Sequence, residues 1–286
     1  MESRSYEVQG SDGLALRVLE WGSETASPVV MLHGIRGYAR TFAGLAAALL
    51  PRFRTIAYDQ RGRGESDWDP ACQYYTDAYI RDLEAIVREI GLKRFDLLGH
   101  SMGGIDAMVY AAANSHRVRR LVIEDAGPGA FEDSAGATRI RRELMSTPAS
   151  FESWDAAVEF IRQLRPSVSA TAREARLRNM LKQEESGNWT WRYDHAGIAR
   201  IRLNPDPARI VPLWPCVDAI ACPTLVLRGS RSDYLARETA EAMAARNPNL
   251  RCHEVADAGH SVHDDQPESV ALCVDSFLSE RDSQTP

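Results

Sequence analysis

The stretch that decides the fold is 94–113, RFDLLGHSMGGIDAMVYAAA, in which a short apolar run leads into a small, Ala-rich segment. The run predicts a strand and the Ala-rich segment a helix, with Gly99, Ser101 and Gly103 forming a Gly-x-Ser-x-Gly pattern between them. Such a sharp turn exposes the serine hydroxyl at the edge of a sheet, and it needs glycines because the backbones approach closely. The N–H groups of the following helix point at the same place. We therefore expect Ser101 to be a nucleophile.

Strand-like and helix-like segments alternate on both sides of this turn. Several of the strand-like segments are continuous apolar runs, which is typical of strands covered on both faces. The alternation predicts an α/β fold with a doubly wound, mostly parallel sheet. Strands are predicted at 14–21, 28–32, 53–58, 94–98, 118–123, 223–227 and 250–255, and helices at 41–50, 76–90, 105–113, 237–246 and 268–278.

One region interrupts the alternation. Between 128 and 215 the pattern is helical, and this region holds four of the six tryptophans. The simplest interpretation is a helical cap at 128–215, inserted into a core made of 1–127 and 216–286. The arginines of 139–142, within this insertion, are interrupted by an apolar residue and are interpreted as a solvated helix face.

Two further signals follow other predicted strands. A loop with the sequence HGIRG follows the second one, and its Ile35 N–H is expected to form an oxyanion hole with the N–H of Met102. His260 follows the last predicted strand, where it is placed to take the Ser101 proton as general base. Arg36, in the same loop as Ile35, suits a substrate carboxylate, although the sequence equally allows it to face water.

Together these features resemble the α/β-hydrolase superfamily, and the resemblance spans nearly the whole chain. The segment 59–66, DQRGRGES, resembles a loop motif found after a core strand in many members, and the insertion lies where the family has its cap domain. The resemblance implies an eight-stranded sheet and a serine nucleophile that forms an acyl-enzyme, with no metal and no organic cofactor. The aspartate nucleophile of related epoxide hydrolases and haloalkane dehalogenases is excluded, because Ser101 stands in its place.

The resemblance leaves two candidates for the acid of the triad. In most members the acid lies after the strand predicted at 223–227, where this chain has Ser232 followed by Asp233. In others it lies after the strand predicted at 118–123, where this chain has Asp125. The combination of Asp125 with Ser232 is similar to small short-chain esterases and to (E)-2-(acetamidomethylene)succinate hydrolases. We favour Asp125, keep Asp233 as the alternative, and expect Ser232 to add a hydrogen bond to this network.

Composition excludes several other classes of protein. The 286 residues include 40 acidic and 34 basic side chains, a formal net charge of −6, so no nucleic-acid-binding surface is expected. No apolar run approaches the roughly 20 residues that a membrane-spanning helix needs, and the N-terminus lacks the pattern of a secretion signal. The five cysteines are scattered, without a Cys-x-x-Cys pair, which favours reduced thiols and a cytoplasmic location. A homo-oligomer is compatible with the sequence.

The predicted function is hydrolysis of a carboxylic ester with a small or medium acyl group, a small-molecule substrate. The same three side chains also suit cleavage of a C–C bond, a lactone or an amide, which is the first alternative. The second alternative belongs to another class, a receptor-like protein that binds a ligand in the hydrolase pocket with little turnover. Intact candidates for the nucleophile, the base and the acid favour an enzyme.

Overall fold

The structure is a computed structural model that describes residues 3–130, 134–164 and 170–280. Its strands are β1 (Arg4–Gln9), β2 (Ala15–Trp21), β3 (Ser27–Leu32), β4 (Phe53–Tyr58), β5 (Phe95–His100), β6 (Val118–Glu124), β7 (Ser150–Phe151), β8 (Leu181–Gln183), β9 (Trp189–Trp191), β10 (Thr224–Gly229) and β11 (Leu250–Val255). Eight of them form one sheet in the order β1-β2-β4-β3-β5-β6-β10-β11. Strand β2 runs antiparallel to β1 and β4, and the other neighbours are parallel. This confirms the predicted fold class.

Helices follow most of the parallel strands. They are α1 (Ala43–Leu49), α2 (Thr76–Glu89), α3 (Met102–Ala113), α4 (Ala135–Ser146), α5 (Trp154–Leu164), α6 (Ala170–Met180), α7 (His195–Leu203), α8 (Leu213–Ala219), α9 (Arg237–Arg246), α10 (Val262–Asp265) and α11 (Pro267–Leu278). Each helix predicted outside the insertion is present, with ends within three residues of the predicted ones. In the described part of the chain, no helix combines the length and the apolar character needed to cross a membrane.

The sheet separates two apolar clusters, one on each face. Consecutive residues of a strand enter opposite clusters: in β5 Leu97 lies in the first and Leu98 in the second, and in β6 Ile123 and Val122 divide in the same way. All four side chains are fully buried. Because side chains alternate across a strand, both sets are apolar when helices cover both faces. This explains the continuous apolar runs in the sequences of β5 and β6.

The insertion between β6 and β10 is mainly helical but not entirely so. It contains α4 to α7 and a small antiparallel sheet in the order β7-β9-β8, whose strands of two or three residues are too short to predict from periodicity. Helix α8 begins inside the predicted cap and packs on the core helix α3. Within the predicted boundaries 128–215, residues 131–133 and 165–169 lie outside the described ranges. The division into core and cap remains a prediction.

A third apolar cluster joins the insertion to the edge of the sheet. Leu177, Trp191 and Tyr193 of the insertion belong to it, together with Tyr79 and Met102 of the core. Met102 is the first residue of α3 and directly follows the serine of the Gly-x-Ser-x-Gly turn. The insertion therefore packs beside the candidate nucleophile.

Candidate active site

Ser101 lies in the turn between β5 and α3 with a strained backbone, φ 54° and ψ −117°. Glycines allow the turn: a Cβ at Gly99 would overlap the carbonyl of Gly103, and one at Gly103 would overlap the carbonyl of Leu32. The Ser101 N–H donates to the carbonyl of Glu124, at the end of β6, at 2.9 Å. Strain at a buried residue other than glycine is a feature of functional sites. Here it holds the hydroxyl at the C-terminal edge of the sheet.

His260, in the loop between β11 and α10, bridges two other candidate groups. Its Nε2 lies 2.9 Å from the Oγ of Ser101, and its Nδ1 lies 2.7 Å from Oδ2 of Asp125. A neutral imidazole with its proton on Nδ1 donates to Asp125 and leaves Nε2 to accept from the Ser101 hydroxyl. The structure thus brings the serine, the histidine and one of the two candidate acids into a single hydrogen-bonded chain.

Asp125 is fully buried, and several donors surround its carboxylate. Besides His260, the Ser232 hydroxyl donates to Oδ2 at 2.6 Å and the Gly229 N–H donates to Oδ1 at 3.2 Å. Burial raises the pKa of Asp125 to about 7, and the hydrogen bonds from Ser232 and Gly229 act against that rise. Donors around a carboxylate favour its ionised form. Ser232, which contacts the candidate acid directly, therefore favours the ionised form of Asp125.

Asp233, the alternative acid, is engaged elsewhere. Its carboxylate accepts two hydrogen bonds from Arg139 of α4, at 2.7 and 3.0 Å, and these lower the pKa of Asp233. Its backbone carbonyl accepts from the Gly136 N–H at 2.7 Å. Asp233 therefore links the loop after β10 to the insertion. The carboxylate that is bonded to Nδ1 of His260 is that of Asp125.

Ile35 and Met102, the predicted oxyanion residues, both adjoin Ser101. Met102 is the first residue of α3, so its N–H has no partner within the helix. Ile35 follows Gly34, which is so close to the nucleophile that a Cβ there would lie 3.3 Å from the Cβ of Ser101. Ile35, Met102 and Ser101 also line one cavity. This arrangement suits two backbone N–H groups that act on one oxygen bound at Ser101.

Arg36 lies in the wall of a second cavity at the site. Its guanidinium forms an ion pair with Glu143 of α4, and both side chains are largely buried. Removing a partner from a buried ion pair is costly, so this pair holds Arg36 in place. A substrate carboxylate would have to share Arg36 with Glu143. Its role as a carboxylate ligand remains a prediction.

Two cavities meet at Ser101. One, of about 70 Å³, is lined by His260 and we call it the histidine-side cavity. The other, of about 30 Å³, is lined by Met102 and we call it the methionine-side cavity. A third, of about 250 Å³, is lined by Met102 and Arg202, which also line the methionine-side cavity, so we call it the adjoining cavity. Ser101 thus adjoins two cavities, one lined by its base His260 and the other by Met102, and Ile35 lines both.

Two further side chains lie beside His260: Tyr234, which the sequence reasoning missed, and His100, which it interpreted as a packing and loop-shaping residue. The ring of Tyr234 packs on that of His260, with centroids 4.4 Å apart. The Nε2 of His100 lies 2.9 Å from the His260 carbonyl oxygen. Burial lowers the pKa of His100 to about 3, so the ring is neutral and donates there. The signal for Tyr234 in the sequence was its position directly after Asp233.

A buried ion pair also lies beside the site. Nδ1 of His263, in α10, is 2.5 Å from Oε2 of Glu124. Burial alone would lower the pKa of His263, but the charge of Glu124, with that of Asp264, raises it to about 9. His263 therefore carries its proton at neutral pH. Its ring lies 5.0 Å from that of His100, and its charge helps to keep His100 neutral.

Replacement of His263 by glutamine is expected to remove a pH-dependent part of the stability. In the wild type the pair with Glu124 stabilises the folded state fully below pH 6.5, the ordinary pKa of histidine, and this contribution is lost as the pH rises towards about 9. The loss amounts to about 3 kcal/mol of unfolding free energy. Urea denaturation at several pH values across that range measures it. An equally steep decline in His263→Gln would contradict the assignment.

The chain is similar to several known proteins over nearly its whole length. The sequence model of the family described as alpha/beta hydrolase fold matches residues 27–267. The crystal structure of an α/β hydrolase from Novosphingobium aromaticivorans has a TM-score of 0.84 and 33% identity, covering 97% of this chain and 98% of that one. A 3-hydroxybutyrate-oligomer hydrolase of Cupriavidus necator is 28% identical over 90% of this chain and 91% of its own. A 2-(acetamidomethylene)succinate hydrolase of Mesorhizobium japonicum is 27% identical over 93% of this chain and 92% of its own.

Proposed function

The chain belongs to the alpha/beta hydrolase fold family, and from this premise we propose that it is a serine esterase whose triad is Ser101, His260 and Asp125. The observation that carries the proposal is the hydrogen-bonded chain from the Ser101 hydroxyl through both nitrogens of His260 to the buried Asp125. Ser232 and Tyr234 support this chain, because one donates to Asp125 and the other packs on His260.

The proposed reaction has two halves. In the first, His260 takes the proton of Ser101 as the serine oxygen attacks the ester carbonyl. The negative oxygen of the tetrahedral intermediate accepts hydrogen bonds from the N–H groups of Ile35 and Met102. His260 then gives its proton to the departing alkoxide, which leaves as the alcohol. In the second half His260 takes a proton from water, the hydroxide attacks the acyl-serine, and the proton returns to the serine as the acid leaves, while Asp125 stabilises the imidazolium.

The two cavities at Ser101 suit the two halves of an ester. Because His260 must protonate the leaving alkoxide, the alcohol belongs in the histidine-side cavity. The acyl group then extends into the methionine-side cavity, between the oxyanion residues and α4. That cavity is the smaller one, about 30 Å³ against about 70 Å³, which favours a small acyl group. A medium chain would have room in the adjoining cavity of about 250 Å³, which shares Met102 and Arg202 with the methionine-side cavity.

A second candidate function is hydrolysis of an amide or related substrate by the same triad. It is favoured by the similarity to 2-(acetamidomethylene)succinate hydrolase, whose name specifies an acetamido compound. Both reactions begin with the same attack of serine on a carbonyl carbon. We place the ester first because the 3-hydroxybutyrate-oligomer hydrolase is similar over nearly as much of the chain, and its name specifies an oligomer of a hydroxy acid.

The proposal is tested with p-nitrophenyl esters from acetate to decanoate, together with labelling by a fluorophosphonate. We expect turnover of the shorter esters, with kcat/KM falling once the acyl chain exceeds the methionine-side cavity. Labelling of Ser101 without turnover of any ester would contradict the esterase and favour an amide, lactone or C–C hydrolase. A protein that the fluorophosphonate does not label would contradict the serine hydrolase and favour a receptor-like protein.

A further inference from the structure

Glu124, the last residue of β6, joins three parts of the site. Its backbone carbonyl accepts the hydrogen bond from the Ser101 N–H at 2.9 Å, and the next residue along the chain is Asp125. Its side chain is fully buried and accepts a hydrogen bond from Nδ1 of His263 at 2.5 Å. One residue therefore connects the backbone of the nucleophile, the acid and a histidine of α10.

His263 lies in the same short segment as the base, because α10 begins two residues after His260. Hydrogen bonds within the segment make it compact. The Gly259 N–H donates to Oδ2 of Asp265 at 2.7 Å, and the N–H of Asp265 donates to the Ser261 carbonyl at 2.9 Å. These bonds join the residues on both sides of His260, so a displacement of α10 displaces the base as well.

The ring of His100 provides a second link between the ion pair and the base. His100 and Glu124 are register partners on the parallel strands β5 and β6, so their side chains project from the same face of the sheet. The Nε2 of His100 donates to the His260 carbonyl at 2.9 Å. The same ring meets that of His263 edge-on, with centroids 5.0 Å apart. The position of His260 thus depends on α10 through the chain and through His100.

Stability alone does not account for a buried ion pair at this place. Oε1 of Glu124 has no hydrogen-bond partner among the residues that the structure describes. Breaking a buried pair is costly, but apolar side chains of similar volume often stabilise the same position as well as the pair does. A hydrogen bond differs from apolar packing because it fixes a distance and a direction within narrow limits. The pair is therefore better suited to setting geometry than to adding stability.

We propose that Glu124 and His263 are positioning residues, whose ion pair holds the loop of His260 against the end of β6. The inference rests on the proposed esterase function. His260 has to keep two hydrogen bonds at once, 2.9 Å to Oγ of Ser101 and 2.7 Å to Oδ2 of Asp125. A displacement of about 1 Å between reacting groups can lower turnover by about 100-fold.

The first test compares two variants that differ in where they place an N–H donor. The amide nitrogen of asparagine is bonded to Cγ, as Nδ1 of histidine is, so His263→Asn keeps a donor for Glu124. The amide nitrogen of glutamine lies one bond further out, near the position of Nε2, which is 3.8 Å from Asp264. With the best ester of the p-nitrophenyl series, we expect kcat to fall about 10- to 100-fold in His263→Gln and less than about 3-fold in His263→Asn. Equal losses in the two variants would overturn the inference.

The division between kcat and KM separates positioning from substrate binding. His263 also lines the histidine-side cavity, so a contact with the alcohol group of the substrate would appear in KM. We expect KM of His263→Gln to stay within about 2-fold of the wild-type value. A loss confined to KM would assign His263 to substrate binding and overturn the inference.

Fluorophosphonate labelling distinguishes failure of the inference from failure of the esterase proposal. The rate constant for labelling of Ser101 depends on the base but not on the choice of ester, and we expect it to fall in His263→Gln in parallel with kcat. If the wild type is labelled but hydrolyses no ester, the esterase proposal fails and the labelling rates decide the inference. Equal rates in the wild type and His263→Gln would overturn it. A wild type that is not labelled would overturn both.

Two control variants account for the loss of an ion pair and for the loss of a histidine. Glu20→Gln breaks another buried pair, in which Arg54 lies 2.7 Å from Glu20 on β2, three strands away from β5. His116→Gln makes the same substitution at an exposed histidine. Both are expected to keep the kcat of the wild type, although Glu20→Gln lowers Tm. A fall in kcat as large as that of His263→Gln in Glu20→Gln would indicate a general effect of destabilisation and overturn the inference.

A double variant, Glu124→Met with His263→Leu, separates position from stability and decides the question if His263→Gln does not fold. Apolar side chains leave no buried charge without a partner, so Tm is expected to stay near that of the wild type. We still expect kcat to fall by about 10-fold, because no hydrogen bond then fixes α10 to the end of β6. All kinetics are measured well below the lowest Tm of the set. A kcat within about 2-fold of the wild-type value would show that packing suffices and overturn the inference.

Discussion

Replacement of Ser101 by alanine is expected to lower kcat for every ester by about 10⁴- to 10⁶-fold. The nucleophile, the base and the acid act as a unit, so losing the serine oxygen removes the acyl-enzyme route altogether. What remains is the smaller acceleration that the oxyanion hole and substrate binding provide without a nucleophile. The measurement is kcat with the best ester of the p-nitrophenyl series, and fluorophosphonate labelling is expected to disappear as well.

The Ser101→Ala protein is expected to fold like the wild type. The turn is held by backbone contacts that alanine retains, above all the hydrogen bond from the residue 101 N–H to the Glu124 carbonyl at 2.9 Å. Alanine also adopts the positive φ of 54° at a cost similar to that for serine. An unchanged Tm checks this, and Ser23→Ala, at an exposed serine, controls for the loss of a hydroxyl. More than about a tenth of wild-type turnover in Ser101→Ala would exclude Ser101 as the nucleophile.

Most of the sheet could be predicted because its strands are buried on both faces and so read as apolar runs. Strand β1 is the exception, and it was missed. Only Val8 of its six residues is buried, because it lies at the edge of the sheet and pairs with β2 alone. Such a strand is stabilised by hydrogen bonds to the backbone groups of its partner. Its own sequence pattern therefore gives little indication that it forms a strand.

The parts of the site at strand ends could also be predicted, whereas the parts supplied by the insertion could not. Parallel strands end at one edge, so residues after β5, β6 and β11 are expected to meet. The arginines of 139–142 are predicted from sequence to form a solvated face, which holds for Arg142. Arg139 instead bonds to Asp233, and Arg141 lines the methionine-side cavity. The packing of α4 on α7 decides which face of α4 points towards Ser101. This contact joins residues that are far apart in the sequence, so no local sequence pattern predicts it.

Replacement of Asp125 by asparagine is expected to lower kcat by about 10⁴-fold, the loss known for the same change in a serine protease triad. The amide nitrogen of asparagine would face Nδ1 of His260, which then has to accept a hydrogen bond instead of donating one. The imidazole proton therefore moves to Nε2, the atom that lies 2.9 Å from Oγ of Ser101 and has to take its proton. The imidazolium formed during the reaction also loses its neighbouring negative charge. Steady-state kinetics with a single ester measures the loss.

Asp233→Asn is the matched comparison, because β6 and β10 are parallel neighbours and both candidate acids follow their ends. The partner of Asp233 is Arg139, 2.7 Å away, so this change weakens the link between the loop after β10 and α4. We expect kcat to fall less than about 10-fold. Ser232→Ala removes the donor 2.6 Å from Oδ2 of Asp125, and its effect is expected to lie between the two. A larger loss in Asp233→Asn than in Asp125→Asn would identify Asp233 as the acid of the triad. The acid is the residue whose carboxylate sets the tautomer of His260.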